Sequence, residues 1–196
     1  MKVMVGLDEV GRGCWAGPLV AGAVILDPNF TVSKLQSWKL GDSKQLTKHQ
    51  REVADYEIRK RARSIGLGWV TAGEVDSMGL TAAVKTAMQR ALDQINIAYQ
   101  EIIIDGSFNF FPENKLVKAI IKADQTIPTV SAASIIAKVA RDAYMLDISQ
   151  KYPRYQFHKH VGYGTQLHAK MLKQYGPCDL HRKSYKPIKK FLVVSD

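Results

Sequence analysis

Short apolar runs, each closed by glycine, proline or an acid, set the pattern of this chain. Residues 2–7 and 19–26 read as two strands joined by a glycine-rich turn over 11–18. Thr47, followed three positions later by Gln50, has the form of a capping box and predicts a helix to about residue 64. Residues 65–70 predict a third strand. Within 81–96, Ala83, Val84, Ala87, Met88, Ala91, Leu92 and Ile95 recur at helical spacing. Residues 101–104 form a short strand of the buried type that ends at Asp105-Gly106. After a turn through Pro112, the apolar run 116–123 ends at Asp124. Ser131 predicts the cap of a helix with Ile135, Ile136 and Val139 on its apolar face, running to about residue 150. Residues 165–174 predict the last helix. Strands first adjacent and then alternating with helices indicate an α/β fold with a mixed sheet. Residues 1–150 would form its core, and 151–196 a small helical cap packed on it.

The chain has 196 residues, 46% of them hydrophobic, which suits one domain with a substantial core. The apolar stretch 18–26 is far shorter than a membrane span, and 3–7 is too short for a secretory signal. Cys14 and Cys178 lie far apart without metal-ligand spacing, so two reduced thiols in a cytoplasm are expected.

Charge changes the picture. The net formal charge is +10, and it is unevenly placed. Residues 1–150 carry 18 basic and 16 acidic side chains, whereas 151–196 carry 10 and 2. His158, His160, His168 and His181 fall in that last segment, interleaved with Tyr152, Tyr155, Tyr163, Tyr175 and Tyr185. Cations with aromatic rings between them suit a phosphate backbone; a solubilising tail is the alternative. Too many prolines and glycines interrupt the segment for a membrane-surface helix.

Three apolar runs end in acid: one at Asp8-Glu9, one at Asp105 and one at Asp124. Ligands of α/β sheets gather at strand ends, which brings these side chains under suspicion of meeting. Singly, each has a plain structural reading, such as Asp105 in a turn before Gly106. Carboxylates that converge repel each other, and either protons or a cation must hold them. With no Cys or spaced His pair beside them, an all-oxygen site favours Mg²⁺ or Mn²⁺ over zinc. Adjacent Asp8 and Glu9 cannot flank a sugar from both sides, which argues against a glycosidase. Gly11-Arg12-Gly13 beside the acids would let backbone approach a ligand, with Arg12 facing a phosphate or simply pairing with Glu9. Gly162-Tyr163-Gly164-Thr165 places a ring between two flexible joints at a helix start. Asp142 has Lys138 one turn back and reads as half of an ion pair.

Together these residues resemble the ribonuclease HII family. The resemblance is carried by Asp8-Glu9-Val10-Gly11-Arg12-Gly13, Ala16-Gly17-Pro18, Asp42-Ser43-Lys44, Asp105-Gly106 and Lys122-Ala123-Asp124. It continues through the run from Ser131 to Lys138, Gly162-Tyr163-Gly164-Thr165, and His181-Arg182 with Ser184. It implies a ribonuclease H-like mixed sheet flanked by helices. It also implies an endonuclease that cuts 5′ to ribonucleotides, in RNA–DNA hybrids and at single ribonucleotides in duplex DNA, leaving 5′-phosphate and 3′-hydroxyl ends. By the same resemblance Asp8, Glu9, Asp105 and Asp124 would bind the metal. Gly11, Arg12 and Gly13 would sense the ribose 2′-hydroxyl, Tyr163 would stack on the neighbouring deoxyribose, and Ser43, Lys44, Arg182 and Ser184 would hold phosphates. A monomer is expected, without a sliding-clamp peptide in 191–196. The chain departs from the family's usual His-Lys-Gly-Tyr at Val161, and Cys14-Trp15 is a bulkier pair than the family leads one to expect. Two rivals remain: a ribonuclease that needs a run of ribonucleotides, and a non-catalytic nucleic-acid-binding module with structural acids.

Overall fold

The computed structural model describes residues 2–27 and 46–192. Ser43 and Lys44 lie outside them, as do residues 193–196, the last four of the stretch in which no clamp peptide is expected. Five strands form one sheet in the order β3-β2-β1-β4-β5: β1 Met4–Val10, β2 Leu19–Leu26, β3 Ala62–Val70, β4 Glu101–Asp105 and β5 Val117–Ile120. The pairs β1–β2 and β2–β3 are antiparallel, whereas β4 and β5 continue parallel to β1. This is the mixed α/β sheet expected.

Both faces of the sheet are covered, as strand periodicity shows. Val5, Leu7, Leu19, Ala21, Ala23, Ile25, Ile102 and Ile104 point one way, onto helix α3 (Leu80–Leu92). Val24 and Leu26 point the other way. They meet helix α1 (Lys48–Arg61) and the long helix α5 (Pro128–Lys151). Glycines set how closely α5 lies: a Cβ on Gly6 would stand 2.2 Å from the Thr129 carbonyl carbon, and one on Gly22 2.4 Å from Ala133 O. That close approach brings the first turns of α5 to the carboxyl end of β1.

Several elements differ from expectation. Asp8 and Glu9 do not follow the first strand but extend it, since Asp8 pairs with Gly22 and Glu9 with Ala21. Asp124 does not close a strand. The chain turns at Lys122 (φ 58°) and enters the short helix α4 (Ala123–Thr126), with Asp124 in its first turn. Helix α5 starts at Pro128 and not at Ser131, because proline at a first helical position needs no hydrogen-bond partner for its nitrogen. Ser131 is buried within it. Helix α2 (Ala72–Met78) was not expected, although Thr71 and Glu74 form the same reciprocal cap seen at Thr47 and Gln50.

Beyond α5 come a 3-10 turn (Pro153–Tyr155) and three further helices: α6 (Phe157–His160), α7 (Gln166–Tyr175) and α8 (Lys186–Lys189). Tyr155, Phe157 and Met171 pack on Ala16 and Met145, which fastens the basic segment beside the glycine loop. No helix among the described residues is long and apolar enough to cross a membrane.

Candidate active site

Parallel pairing sets the geometry at the carboxyl ends of β1 and β4. Leu7 is in register with Ile104, so Asp8 and Asp105 stand one residue further along neighbouring strands. The Asp124 main-chain N–H donates to the Asp105 carboxylate at 3.4 Å, tying α4 to β4. Asp8, Glu9, Asp105 and Asp124 line one cavity of about 280 Å³ with Val10, Gly11, Arg12, Gly13, Ser134, Lys138 and Tyr163.

The electrostatics are those of an acid cluster in a dry place. Burial, and then the charge of Glu9, push the Asp8 carboxyl well above its ordinary value; Asp105 adds to this, while a hydrogen bond from Ser134 on α5 offsets part of it. Glu9 is raised too, chiefly by burial, against the pull of Arg12. The Arg12 guanidinium lies 3.4 Å from the Glu9 carboxylate. The donors are all hard carboxylate oxygens, and such a set fits a divalent cation of the Mg²⁺ or Mn²⁺ kind. As they stand, no three or more His, Cys, Asp or Glu side chains among the described residues are gathered closely enough to hold an ion.

The glycine loop is shaped from behind. Gly11 has φ 85°, and a Cβ there would stand 2.3 Å from Arg141 Nε, so both backbone and space require glycine. Arg141, fully buried on α5, donates to Pro18 O, Val161 O and Ala16 O at 2.8, 2.9 and 3.1 Å. It thereby joins the glycine loop to the segment that carries Tyr163. The Tyr163 ring is 36% exposed in the cavity wall, with Lys138 Nζ 5.3 Å from its centre. Burial raises its hydroxyl to about 12.

With the fold and this cavity in view, comparison with known proteins gives a consistent result. A family model described as Ribonuclease HII matches residues 5–188. The chain belongs to that family. It is 43% identical over 189 residues to the Ribonuclease HII of Nitrosococcus oceani, covering 96% of this chain and 91% of that one. Among solved structures, ribonuclease H2 from Pyrococcus horikoshii OT3 is similar with a TM-score of 0.80 at 30% identity, over 97% of each chain. The RNase HII of Archaeoglobus fulgidus, solved as a complex with PCNA, gives 0.75 at 26% identity, over 94% and 95%. The chain is therefore a ribonuclease H type 2 enzyme: a metal-dependent endoribonuclease acting on RNA–DNA hybrids.

In this ribonuclease HII, the side chains of two residues expected at phosphates are engaged within the protein. Arg182 is fully buried and its guanidinium is engaged by the protein: Nη1 donates to Arg12 O (3.0 Å) and Tyr185 Oη (2.8 Å), while Nε and Nη2 donate to Gly17 O (3.2 and 3.1 Å). It braces the glycine loop from inside. Ser184 is exposed, but its hydroxyl donates to Asp76 at 2.6 Å. Asp142 pairs with Lys138 at 2.8 Å, as its spacing suggested. Sequence reasoning passed over Ser134 and Lys138 as cavity residues and Arg141 as a brace. The first two lay inside the run that carries the resemblance. For Arg141 a single sequence offers no signal, because a buried arginine reads like any surface cation.

Proposed function

We propose that this enzyme cuts the phosphodiester 5′ to a ribonucleotide, both in RNA–DNA hybrids and at a single ribonucleotide embedded in duplex DNA. The products would be 5′-phosphate and 3′-hydroxyl ends. One observation carries the reading: four acids, the Gly11-Arg12-Gly13 loop and Tyr163 face the same cavity. Asp8, Glu9, Asp105 and Asp124 would hold Mg²⁺ or Mn²⁺. When bound, a divalent cation supplies Lewis-acid stabilisation of the charge that develops on the phosphodiester.

The chain's own residues do the rest. Arg12 and Gly13 are exposed at the loop tip, while the Arg12 carbonyl is committed to Arg182 and Tyr185. A rigid loop whose amides meet the ribose supports recognition of the 2′-hydroxyl, the group that separates RNA from DNA. Tyr163 offers a ring face to the neighbouring deoxyribose, which is where a junction differs from a continuous hybrid. Lys138, between Tyr163 and Asp142, brings a cation towards the scissile phosphate. Ser43 and Lys44 would add phosphate contacts. Two unpaired cysteines fit work in the cytoplasm, and the reading requires only one copy of the chain.

A DNA duplex with one ribonucleotide, incubated with Mg²⁺ or Mn²⁺, tests the reading. The expected product is a nick on the 5′ side of the ribonucleotide. An intact duplex, with long hybrids still degraded, would leave an enzyme that needs consecutive ribonucleotides.

A further inference from the structure

Three imidazoles are buried behind Tyr163, and the function proposed above uses none of them. His160, His168 and His181 are 5%, 0% and 1% exposed. Their partners fix which nitrogen of each ring carries the hydrogen. Tyr163 O can only accept, so His168 Nδ1, 2.9 Å away, bears a hydrogen and donates it. The Cys178 main-chain N–H can only donate, and it meets His181 Nδ1 at 2.9 Å, so that nitrogen is bare. Cys178 O lies 3.2 Å from the same nitrogen and would need the opposite tautomer; the shorter contact decides. His181 therefore carries its hydrogen on Nε2 and donates it to His168 Nε2 at 3.0 Å. The chain of bonds runs one way, from Cys178 N–H through two neutral rings to the Tyr163 carbonyl.

His160 grips the same segment from the other side. Gly162 N–H donates to its Nδ1 at 3.3 Å, and its own Nε2–H donates to Tyr155 O at 2.9 Å. The His160 ring stacks on His168 with centroids 4.3 Å apart and planes 19° from parallel. Trp15 closes the far side, since a Cβ on Gly164 would stand 2.1 Å from its ring. Burial holds His168 and His181 in the neutral form, at about 3 and about 4 respectively. Protonation of either would set one N–H against another.

We infer that His168, backed by His181 and stacked on His160, is a positioning residue for Tyr163, fixing the backbone from which its ring faces the substrate. The inference rests on the reading of Tyr163 as the junction contact. No atom of these histidines touches substrate. Their work is to make Tyr163 rigid before binding, so that no ordering is left to the moment of contact.

The test uses the full-length enzyme on the single-ribonucleotide duplex, with four variants: Tyr163→Ala, His168→Leu, His168→Asn and the double variant Tyr163→Ala/His168→Leu. His168→Leu should lose about tenfold to a hundredfold in kcat/KM. His168→Asn, which keeps a donor near the Nδ1 position, should recover most of it. In the Tyr163→Ala background the same change to Leu should cost no more than about twofold, because the group it positions is gone. A fully active His168→Leu, or losses that multiply in the double variant, overturns the inference. A fully active Tyr163→Ala brings down the functional reading and the inference with it, a pattern distinct from failure at His168 alone. Should His168→Leu fail to fold, ¹⁵N-histidine spectra of the unaltered protein decide. Hydrogen on Nδ1 of His168 and on Nε2 of His160 and His181 supports the relay, and any other pattern overturns it.

Discussion

Asp105 accepts the main-chain N–H of Asp124 at 3.4 Å, so one acid of the site holds the helix turn that delivers the next. The Asp105 side chain and the Asp124 main chain are therefore tied together, and as ligands of one cation the two acids would act as a unit. Asp105→Asn and Asp124→Asn should each lower the cleavage rate by about a thousandfold or more, and the double variant should lose little beyond the worse single. Single-turnover cleavage of an RNA–DNA hybrid measures this. Multiplying losses would mean that the two acids work independently.

Asp8 sits where its charge costs the fold stability. Its carboxyl is raised above the ordinary range by burial and by Glu9, so at neutral pH without metal the ionised form opposes folding. Asp8→Asn is expected to abolish cleavage, keep hybrid binding, and raise the melting temperature of the metal-free protein by about 2–4 °C. A melting scan in a chelating buffer checks it. A lower melting temperature would contradict the electrostatic account.

The buried histidines give stability an acid limit. In the unfolded chain they titrate near 6.5, whereas His181 and His168 are held down to about 4 and about 3 in the fold. The unfolded state thus binds more protons below 6.5, and stability falls as pH drops from there towards 4 and then 3. Asp8 and Glu9, raised in the fold, act in the opposite sense. Urea titrations of Asp8→Asn between pH 7 and pH 4, where less of that opposition remains, should show the loss more steeply than the unaltered protein. A flat profile would mean that the folded and unfolded chains bind the same number of protons over this range, so that burial does not hold the histidines neutral.

Arg182 separates bracing from phosphate binding. Arg182→Ala strips the carbonyls of Arg12 and Gly17 of a charged donor inside the protein, at an expected cost of about 3 kcal/mol or more. Lysine should not restore it, for it lacks the planar fork. The salt dependence of hybrid binding, measured on whatever variant remains folded, should keep its slope. A slope shallower by about one ion would return Arg182 to the phosphate contacts.

The sequence told most where chemistry and periodicity coincide. The unbroken apolar run of β2 and the spacing on α3 emerge in the structure almost residue for residue, and the acids reach a common cavity. What misled was the reading of Asp124 as a strand end. The run 116–123 is mostly apolar, broken by Lys118 and Lys122, but Ile121 is 69% exposed and Lys122 turns left-handed, which no hydrophobic pattern encodes. The burial of Arg182, expected at a phosphate, escaped the sequence for a related reason. Its charge suggested solvent, and only tertiary packing turns its donors inward to backbone carbonyls. The two arginine braces and the histidine relay join residues over 120 positions apart, or through ring contacts with no local signature. Val161 at φ 41°, an unusual conformation for a β-branched side chain, also follows from packing: Arg141 holds its carbonyl.

The most direct measurement is calorimetric titration of the metal-free enzyme with Mn²⁺, beside Asp8→Asn and Asp105→Asn. If the acids of β1 and β4 share a cation, the unaltered protein binds it and each variant binds at least about tenfold more weakly, in parallel with lost cleavage. Equal affinity in all three proteins would contradict the account.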